Sequence, residues 1–119
     1  MVSVTAIIQA RMGSTRFPGK SLRPIAGFPL LEHIIIRLKQ VPEIDLILLA
    51  TPEKETEIPL VELAHQLQIH VFQGSEDNVL GRFIKAGESV QTEHVVRVCG
   101  DNPLIDIPLS SSLIQAHLS

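Results

Sequence analysis

Four short apolar segments alternate along the chain with longer segments in which apolar residues recur every three or four positions. The short segments are rich in Val, Ile and Leu. One of them, IDLILLAT at residues 44–51, is almost continuously apolar, as in a strand that is covered on both of its faces. This pattern predicts β-strands at residues 2–10, 44–51, 69–73 and 94–99.

The segments that follow these strands have the period of an amphipathic helix. In the first of them, Leu31, Ile34 and Leu38 fall on one face. In the second, Pro59 suits a first helical turn, where its missing N–H costs nothing. The pattern predicts helices at residues 29–41, 59–68, 77–90 and 108–118.

The third predicted helix has an acidic residue at its start and several apolar residues in its first turns. Asp77 is a suitable N-cap, because its carboxylate can accept a hydrogen bond from a free backbone N–H. We expect the side of this helix that packs on the sheet to be formed by Val79, Leu80, Phe83, Ile84 and Val90.

Strands that alternate with helices predict an α/β fold, a Rossmann-like, mostly parallel sheet with helices on both faces. The commonest doubly wound topology gives the strand order 3-2-1-4, with a ligand-binding crevice between strands 1 and 4. The loop after residue 10 and the loop after residue 99 would then lie side by side. With 119 residues and no linker, we expect one domain over residues 1–119.

The composition argues against several classes of function. The net charge is −3 and only 3% of residues are aromatic, so neither a basic nucleic-acid binder nor a base-stacking platform is expected. The single cysteine, Cys99, excludes an intrachain disulfide and a multi-cysteine zinc site. We find no signal-peptide pattern and no apolar run that could span a bilayer, so we expect a cytoplasmic protein with no membrane partner.

The loop at residues 11–28 is the most unusual segment. It contains Arg11, Arg16, Lys20 and Arg23, three glycines and two prolines, and no acidic residue. Glycines let backbone N–H groups approach an anion, and the cations supply charge, so the loop is typical of a polyphosphate site. The alternative is a solvated basic loop.

Neither of the common phosphate-binding motifs fits this loop. Five residues separate Gly13 from Gly19-Lys20-Ser21, whereas a P-loop has four. Pro24 also follows too closely for a helix to start at Lys20. The dinucleotide-binding glycine pattern is absent as well.

A second polar segment follows the fourth predicted strand. Asp101 stands at the end of that strand, and a carboxylate beside a phosphate loop suits Mg²⁺. The alternative is that Asp101 and Asn102 form an Asx turn. Asp106 is expected to cap the last helix. Glu53, Glu55 and Glu57 are expected to be a solvated loop, and the scattered histidines form no pair with metal-ligand spacing.

Five segments together carry a family resemblance. In chain order they are QARMGSTRFPGKSL, GFPLLEHIIIRL, ILLAT, VFQGSEDNVLGRF and VRVCGDNPLID. They resemble the cytidylyltransferases, in particular the SpsF-type group of spore coat polysaccharide biosynthesis, to which the CMP-sialate and CMP-3-deoxy-manno-octulosonate synthetases are related.

The resemblance implies a reaction in which CTP and an acidic or phosphorylated sugar give a cytidylyl sugar and pyrophosphate. By position it implies that Arg11 and Lys20 bind the phosphates and act in catalysis, and that Asp101 binds Mg²⁺. It also implies a set of residues that bind the nucleotide. For Glu76 and Asp77 the alternative is that they simply begin a helix, where acidic residues suit the helix dipole. The implied nucleotide-binding residues are Ala10, Arg11, Met12, Gly13, Ser14, Lys20, Asp77 and Arg82.

Members of the resembled family are considerably longer than 119 residues, so the resemblance is to their N-terminal half. The other half supplies the acceptor-sugar wall, a further metal-binding carboxylate and the dimer-forming elements. Two functions therefore stay open, a cytidylyltransferase and a nucleotide-binding module that does not catalyse. We expect the chain to form a homo-oligomer through apolar surface near strand 4, where the sheet has an edge.

Overall fold

The computed structural model describes residues 2–10, 22, 24–25, 27–75 and 77–99 of the chain. The strands are β1 (Val2–Gln9), β2 (Pro24–Ile25), β3 (Phe28–Pro29), β4 (Leu46–Pro52), β5 (His70–Gly74) and β6 (Thr92–Cys99). The helices are α1 (Leu30–Leu38), α2 (Ile58–Gln66) and α3 (Val79–Ser89). The loops predicted to carry chemistry at residues 11–20 and 100–107, and the helix predicted at 108–118, lie outside the described residues.

The main sheet has four parallel strands in the order β5-β4-β1-β6. Counted along the chain, these are the third, second, first and fourth strands of the sheet, so the predicted α/β class and 3-2-1-4 order are confirmed. β1 lies between β4 and β6 because its residues are apolar on both faces. Thr5 to Ile8 are all completely buried.

Helices cover both faces of this sheet, as predicted. On one face, α1 and α2 pack over alternate residues of β1 and β4, with Ala6, Ile8 and Leu49 in the centre. On the other face, α3 packs over Ile7 and Leu48. The sheet separates the two clusters, so each face of the sheet has its own apolar core.

The sequence predicted a loop without regular structure at residues 11–28, but the described residues at the end of this range include two short strands. Near the end of this segment, β2 and β3 form a small antiparallel hairpin in which Ile25 pairs with Phe28. Gly27 in the turn has a φ of +87°, a conformation that a residue with a side chain rarely adopts. The hairpin leads directly into α1 at Leu30.

The orientation predicted for α3 is wrong. Val79, Leu80 and Ile84 are exposed, with 40%, 68% and 50% of their surface accessible, and the buried positions include Arg82 and Gly87. The small residues of α3 allow the helix to lie close to the sheet, while the larger apolar side chains would hold it away. Phe83 does pack on the sheet as expected.

One acidic residue also differs from expectation. Glu57 was predicted to be solvated with its neighbours, but only 2% of its surface is accessible. It ends a 3-10 turn at Glu55–Glu57 that continues directly into α2, and this junction turns the side chain inward. Glu53 and Glu55 are exposed as expected.

Candidate functional site

The candidate site lies at the carboxyl ends of the parallel strands. β1 ends at Gln9, which is in register with Ala50 of β4 on one side and Cys99 of β6 on the other. Ala10 follows β1, is 6% exposed, and donates its backbone N–H to the carbonyl oxygen of Ala50 at 3.3 Å. The backbone that enters the basic loop is therefore fixed to the sheet at its first residue.

Arg82 of α3 is a charged side chain that the fold buries at this edge. Only 3% of its surface is accessible. Its Nη1 donates to the carbonyl oxygen of Ser75 at 2.9 Å, and its Nη2 donates to Oε1 of Gln9 at 3.2 Å. One guanidinium thus connects the segment after β5 with the end of β1, two places that are separated by β4 in the sheet.

The stem of Arg82 reaches the strand ends by passing over Gly74, the last residue of β5. A Cβ atom at Gly74 would lie 2.9 Å from Cε1 of Phe72 and 3.2 Å from Cγ of Arg82. Both distances are shorter than ordinary van der Waals contacts, so a side chain here would displace Arg82 or Phe72. Glycine at this position is required by the close approach of the arginine.

The start of α3 is built differently from the prediction. Asn78, not Asp77, is the N-cap, and its Oδ1 accepts a hydrogen bond from the backbone N–H of Gly81 at 2.9 Å. The backbone N–H of Asn78 in turn donates to Oγ of Ser75 at 3.1 Å. Asp77 is exposed one residue before the cap. These bonds fix the start of the helix against β5, which sets the direction of Arg82.

An open cavity of about 470 Å³ lies beside this junction. It contains two cationic side chains, Arg82 and Lys85, and one carboxylate, Glu53. The backbone N–H of Glu53 donates to the carbonyl oxygen of Gly74 at 2.9 Å, so this wall is attached to β5. The lining residues are Glu53, Phe72, Gln73, Gly74, Ser75, Asn78, Gly81, Arg82 and Lys85.

The structure brings together part of the predicted site. Ala10 and Arg82 are at the same edge of the sheet, linked through Gln9, and Asp77 lies at the start of α3. The remaining predicted residues lie outside the described residues, so their roles stay predictions. They are Arg11, Met12, Gly13, Ser14, Lys20 and Asp101.

The predicted Mg²⁺ ligand, Asp101, also lies beyond the described part of the chain. Within residues 2–10, 22, 24–25, 27–75 and 77–99, no group of three or more His, Cys, Asp and Glu side chains is arranged to hold a metal ion. The Mg²⁺ site therefore stays a prediction that rests on the loop after β6.

Two residues of this junction were missed from the sequence. Gln9 and Ser75 lie in two of the segments that carry the family resemblance, but neither was given a role of its own. A polar side chain at the last position of an otherwise apolar strand is a signal that could have identified Gln9. Ser75 acts through its carbonyl oxygen and its hydroxyl, and no sequence pattern distinguishes it from an ordinary loop serine.

None of the helices in the described part of the chain has the length and apolarity needed to cross a bilayer.

The parallel sheet, its strand order and a polar junction at the carboxyl ends define an α/β nucleotide-sugar transferase fold. A cytidylyltransferase structure from Leptospira borgpetersenii serovar Hardjo-bovis superposes with a TM-score of 0.93 at 31% identity, over 99% of this chain and 50% of that one. A CMP:2-keto-3-deoxy-manno-octonic acid synthetase complexed with CTP has the same fold, with a TM-score of 0.85 and 24% identity over 98% of this chain and 47% of that one.

The chain belongs to the cytidylyltransferase family, whose sequence profile matches residues 5–119. It is 42% identical to the spore coat polysaccharide biosynthesis protein SpsF of Bacillus subtilis, a match that covers 98% of this chain and 50% of the relative. The chain thus spans about half the length of these curated relatives.

Proposed function

We propose that the chain binds CTP at the carboxyl ends of β1 and β6 and contributes this site to cytidylyl transfer onto an acidic or phosphorylated sugar of a surface polysaccharide. The observation that carries the proposal is the Arg82 link to Gln9. It fixes the residue that immediately precedes Ala10 and the basic loop, so the loop starts from a rigid anchor. Preorganised donors stabilise developing charge better than mobile ones.

The roles of the loop residues follow from their chemistry. The backbone N–H groups of residues 10–13 would bind the nucleotide, and the side chains of Arg11 and Lys20 would neutralise the phosphates. Asp101 would hold Mg²⁺, which supplies charge neutralisation at the phosphate oxygens when it is bound. Arg82 keeps the nucleotide-binding role that the resemblance implies. It is also a positioning residue, because its guanidinium holds Gln9 and the carbonyl oxygen of Ser75.

In the proposed reaction a hydroxyl oxygen of the sugar attacks the α-phosphorus of CTP in line with the leaving group. The bond between the α-phosphorus and the oxygen that bridges it to the β-phosphorus breaks, pyrophosphate leaves, and the hydroxyl proton passes to solvent. Such a transfer depends on positioning and charge neutralisation and needs no nucleophilic side chain. The use of CTP makes the cytoplasm the proposed setting.

A second candidate is a nucleotide-binding module without transferase activity. The two candidates share the CTP site and differ in whether the bound nucleotide reacts.

Calorimetric titration with CTP in MgCl₂ tests the shared site, with ATP and GTP as control nucleotides. We expect heat of binding with CTP and a rise in melting temperature by mass action. The variant Lys20→Ala should bind CTP about 10 to 100 times more weakly, the scale of one charge-assisted hydrogen bond. Lys39→Ala removes the same charge near the amino ends of β4 and β5 and serves as the matched control.

Two further measurements separate the roles. Asp101→Asn should leave the fold intact and remove the Mg²⁺ dependence of CTP binding, whereas loss of folding would make Asp101 a turn residue. Sugar-dependent pyrophosphate release would support the transferase over the binding module. Absence of heat and of any thermal shift at millimolar CTP would reject the site in both candidates.

A further inference from the structure

Gln9 is a polar side chain at the carboxyl end of the central strand. Side chains of a strand alternate between the two faces of the sheet, so Gln9 shares a face with Ile7, which packs under α3. Ile8 and Ala10, the residues on either side, are buried, whereas Gln9 is only half-buried. β1 therefore ends in a hydrogen-bonding side chain on the α3 face, at the edge where the proposed CTP site lies.

The neighbour of Gln9 in β4 is small. Ala50 is in register with Gln9 and belongs to the apolar cluster under α3, so the two side chains lie on the same face. A methyl group at this position leaves space for the Gln9 amide to meet the Arg82 guanidinium. The arginine arrives from the β5 side of the sheet, where its stem passes Gly74.

The bond to Arg82 decides which end of the Gln9 amide faces the guanidinium. A guanidinium only donates hydrogen bonds, so the amide atom that lies 3.2 Å from Nη2 of Arg82 must be the oxygen. The flipped amide would set N–H donors against each other. The Nε2 group of Gln9, which carries two N–H donors, is thereby directed away from Arg82.

The Nε2 group is a donor that the described part of the chain does not use. Among the described residues, the Gln9 side chain makes its hydrogen bond to Arg82 through the oxygen and makes none through the nitrogen. The amide is nevertheless held in one orientation by a buried arginine. A donor that is already held in place binds a ligand at a lower entropic cost than a mobile one.

Anchoring of the basic loop accounts for the oxygen of Gln9 but not for its nitrogen. A glutamate at this position would offer Arg82 a charged acceptor, and charge-assisted hydrogen bonds are stronger than neutral ones. An anchor alone would therefore be better served by glutamate. Glutamine differs from it by having N–H donors and no negative charge, which suits contact with an anionic ligand that is rich in acceptor oxygens, such as a nucleoside triphosphate.

We propose that Gln9 contacts the nucleotide directly: its Nε2 donates a hydrogen bond to an acceptor atom of bound CTP, and Arg82 holds the amide in the orientation that this bond needs. The inference rests on the proposed function, because it requires a nucleotide at the carboxyl ends of the strands. It adds a contact from β1 itself to the contacts expected of the basic loop. In this contact Gln9 touches the substrate and Arg82 is the positioning residue.

Two substitutions at Gln9 separate its donor from its acceptor, with CTP affinity measured by calorimetric titration in MgCl₂ and stability by thermal denaturation. Gln9→Glu keeps an oxygen for Arg82 but loses the N–H donors, so it should melt no lower than the unaltered chain yet bind CTP at least about tenfold more weakly. Gln9→Met loses both groups, so it should melt lower and bind CTP about 3 to 10 times more weakly. Gln66→Glu, on the exposed surface of α2, is the matched control and should leave CTP binding unchanged.

Salt separates a lost contact from general repulsion between CTP and the new carboxylate. The weakening by Gln9→Glu, relative to the unaltered chain, should persist in about 1 M NaCl, where the Debye length falls to about 3 Å. A Gln9→Glu variant that binds CTP as tightly as the unaltered chain, or whose weakening disappears at high salt, would overturn the proposal and leave Gln9 an anchor only. Full CTP affinity of Gln9→Met would overturn it as well. An unaltered chain that does not bind CTP would instead reject the proposed function, and this contact with it.

Discussion

Nη2 of Arg82 and Oε1 of Gln9 lie 3.2 Å apart although the two residues are 73 positions apart in the chain. The bond joins α3, which is on one face of the sheet, to the last residue of the central strand. Both groups are partly buried. Removing either side chain would leave the other polar group without this hydrogen bond, which costs free energy. The start of the basic loop is thus held by a side chain from a distant helix.

We expect the two residues to be energetically coupled. Arg82→Lys cannot reach both Ser75 and Gln9, because an ammonium lacks the planar fork, and should lower the free energy of unfolding by about 1–3 kcal/mol. Gln9→Ala should cost less in the Arg82→Lys background than in the unaltered protein, by about 1 kcal/mol. Urea denaturation of the four proteins measures the cycle. Strictly additive effects would show that the bond contributes nothing.

Gly74 gives a prediction about close approach. Gly74→Ala should lower the free energy of unfolding by about 1–3 kcal/mol, because the new methyl would be 2.9 Å from Cε1 of Phe72 and must displace it or Arg82. Gly87→Ala is the matched control. Its methyl would meet neighbours no nearer than 3.5 Å, within α3, so it should stabilise the protein by about 0.5–1 kcal/mol. Thermal denaturation should show shifts of opposite sign, and equal shifts would contradict the packing described.

The cap of α3 gives a prediction about two neighbouring residues. A Cβ at Gly81 would be 2.5 Å from Nδ2 of Asn78, so Gly81→Ala should gain helix propensity but displace the capping side chain. We expect Gly81→Ala to be more favourable in an Asn78→Ala background than in the unaltered protein, by about 1 kcal/mol. Chemical denaturation of the single and double variants measures the difference. The same gain in both backgrounds would mean that the cap does not depend on glycine.

Two buried threonines should respond in opposite directions. Within the described residues, Oγ1 of Thr5 is buried without a hydrogen-bond partner, so Thr5→Val should raise the free energy of unfolding by about 1 kcal/mol. Oγ1 of Thr51 donates to the carbonyl oxygen of Pro52 at 2.8 Å, and Thr51→Val should lower it by a similar amount. Calorimetric melting distinguishes the two. Destabilisation by Thr5→Val would indicate a partner for its hydroxyl.

The sheet could be predicted from the sequence, but the position of α3 could not. The strands are continuous apolar runs, and their alternation with helices leaves few parallel topologies. In α3 the apolar residues outnumber the small ones, and periodicity alone favours burying Leu80 and Ile84. The fold instead buries Ala86 and Gly87, because closeness to the sheet requires small side chains. It also buries Arg82, because the carbonyl oxygen of Ser75 and the side chain of the distant Gln9 accept hydrogen bonds from it there.

The candidate site, too, could be predicted from the sequence only in part. Ala10 and Arg82 were identified through the resemblance, and the structure places both at the carboxyl edge. Gln9 was missed because its role depends on a residue 73 positions later, which no local pattern reveals. The sequence predicted Asp77 as the N-cap of α3, whereas the structure has Asn78, one residue later. Both side chains are suitable caps. Propensity does not decide such a choice, whereas the hydroxyl of Ser75 does.

The central position of β1 in the sheet affects the order in which the sheet can form during synthesis. β1 comes before its two neighbours in the sequence, and one of them is β6, where Val2 meets Thr92. Until the residues of β6 have been synthesised, β1, which is mostly apolar, lacks its partner strand on one side. Long-range pairing of this kind slows folding and exposes aggregation-prone surface on the way. The nascent chain is therefore most vulnerable while residues 46–90 are emerging, and becomes protected only when the strand at 92–99 arrives.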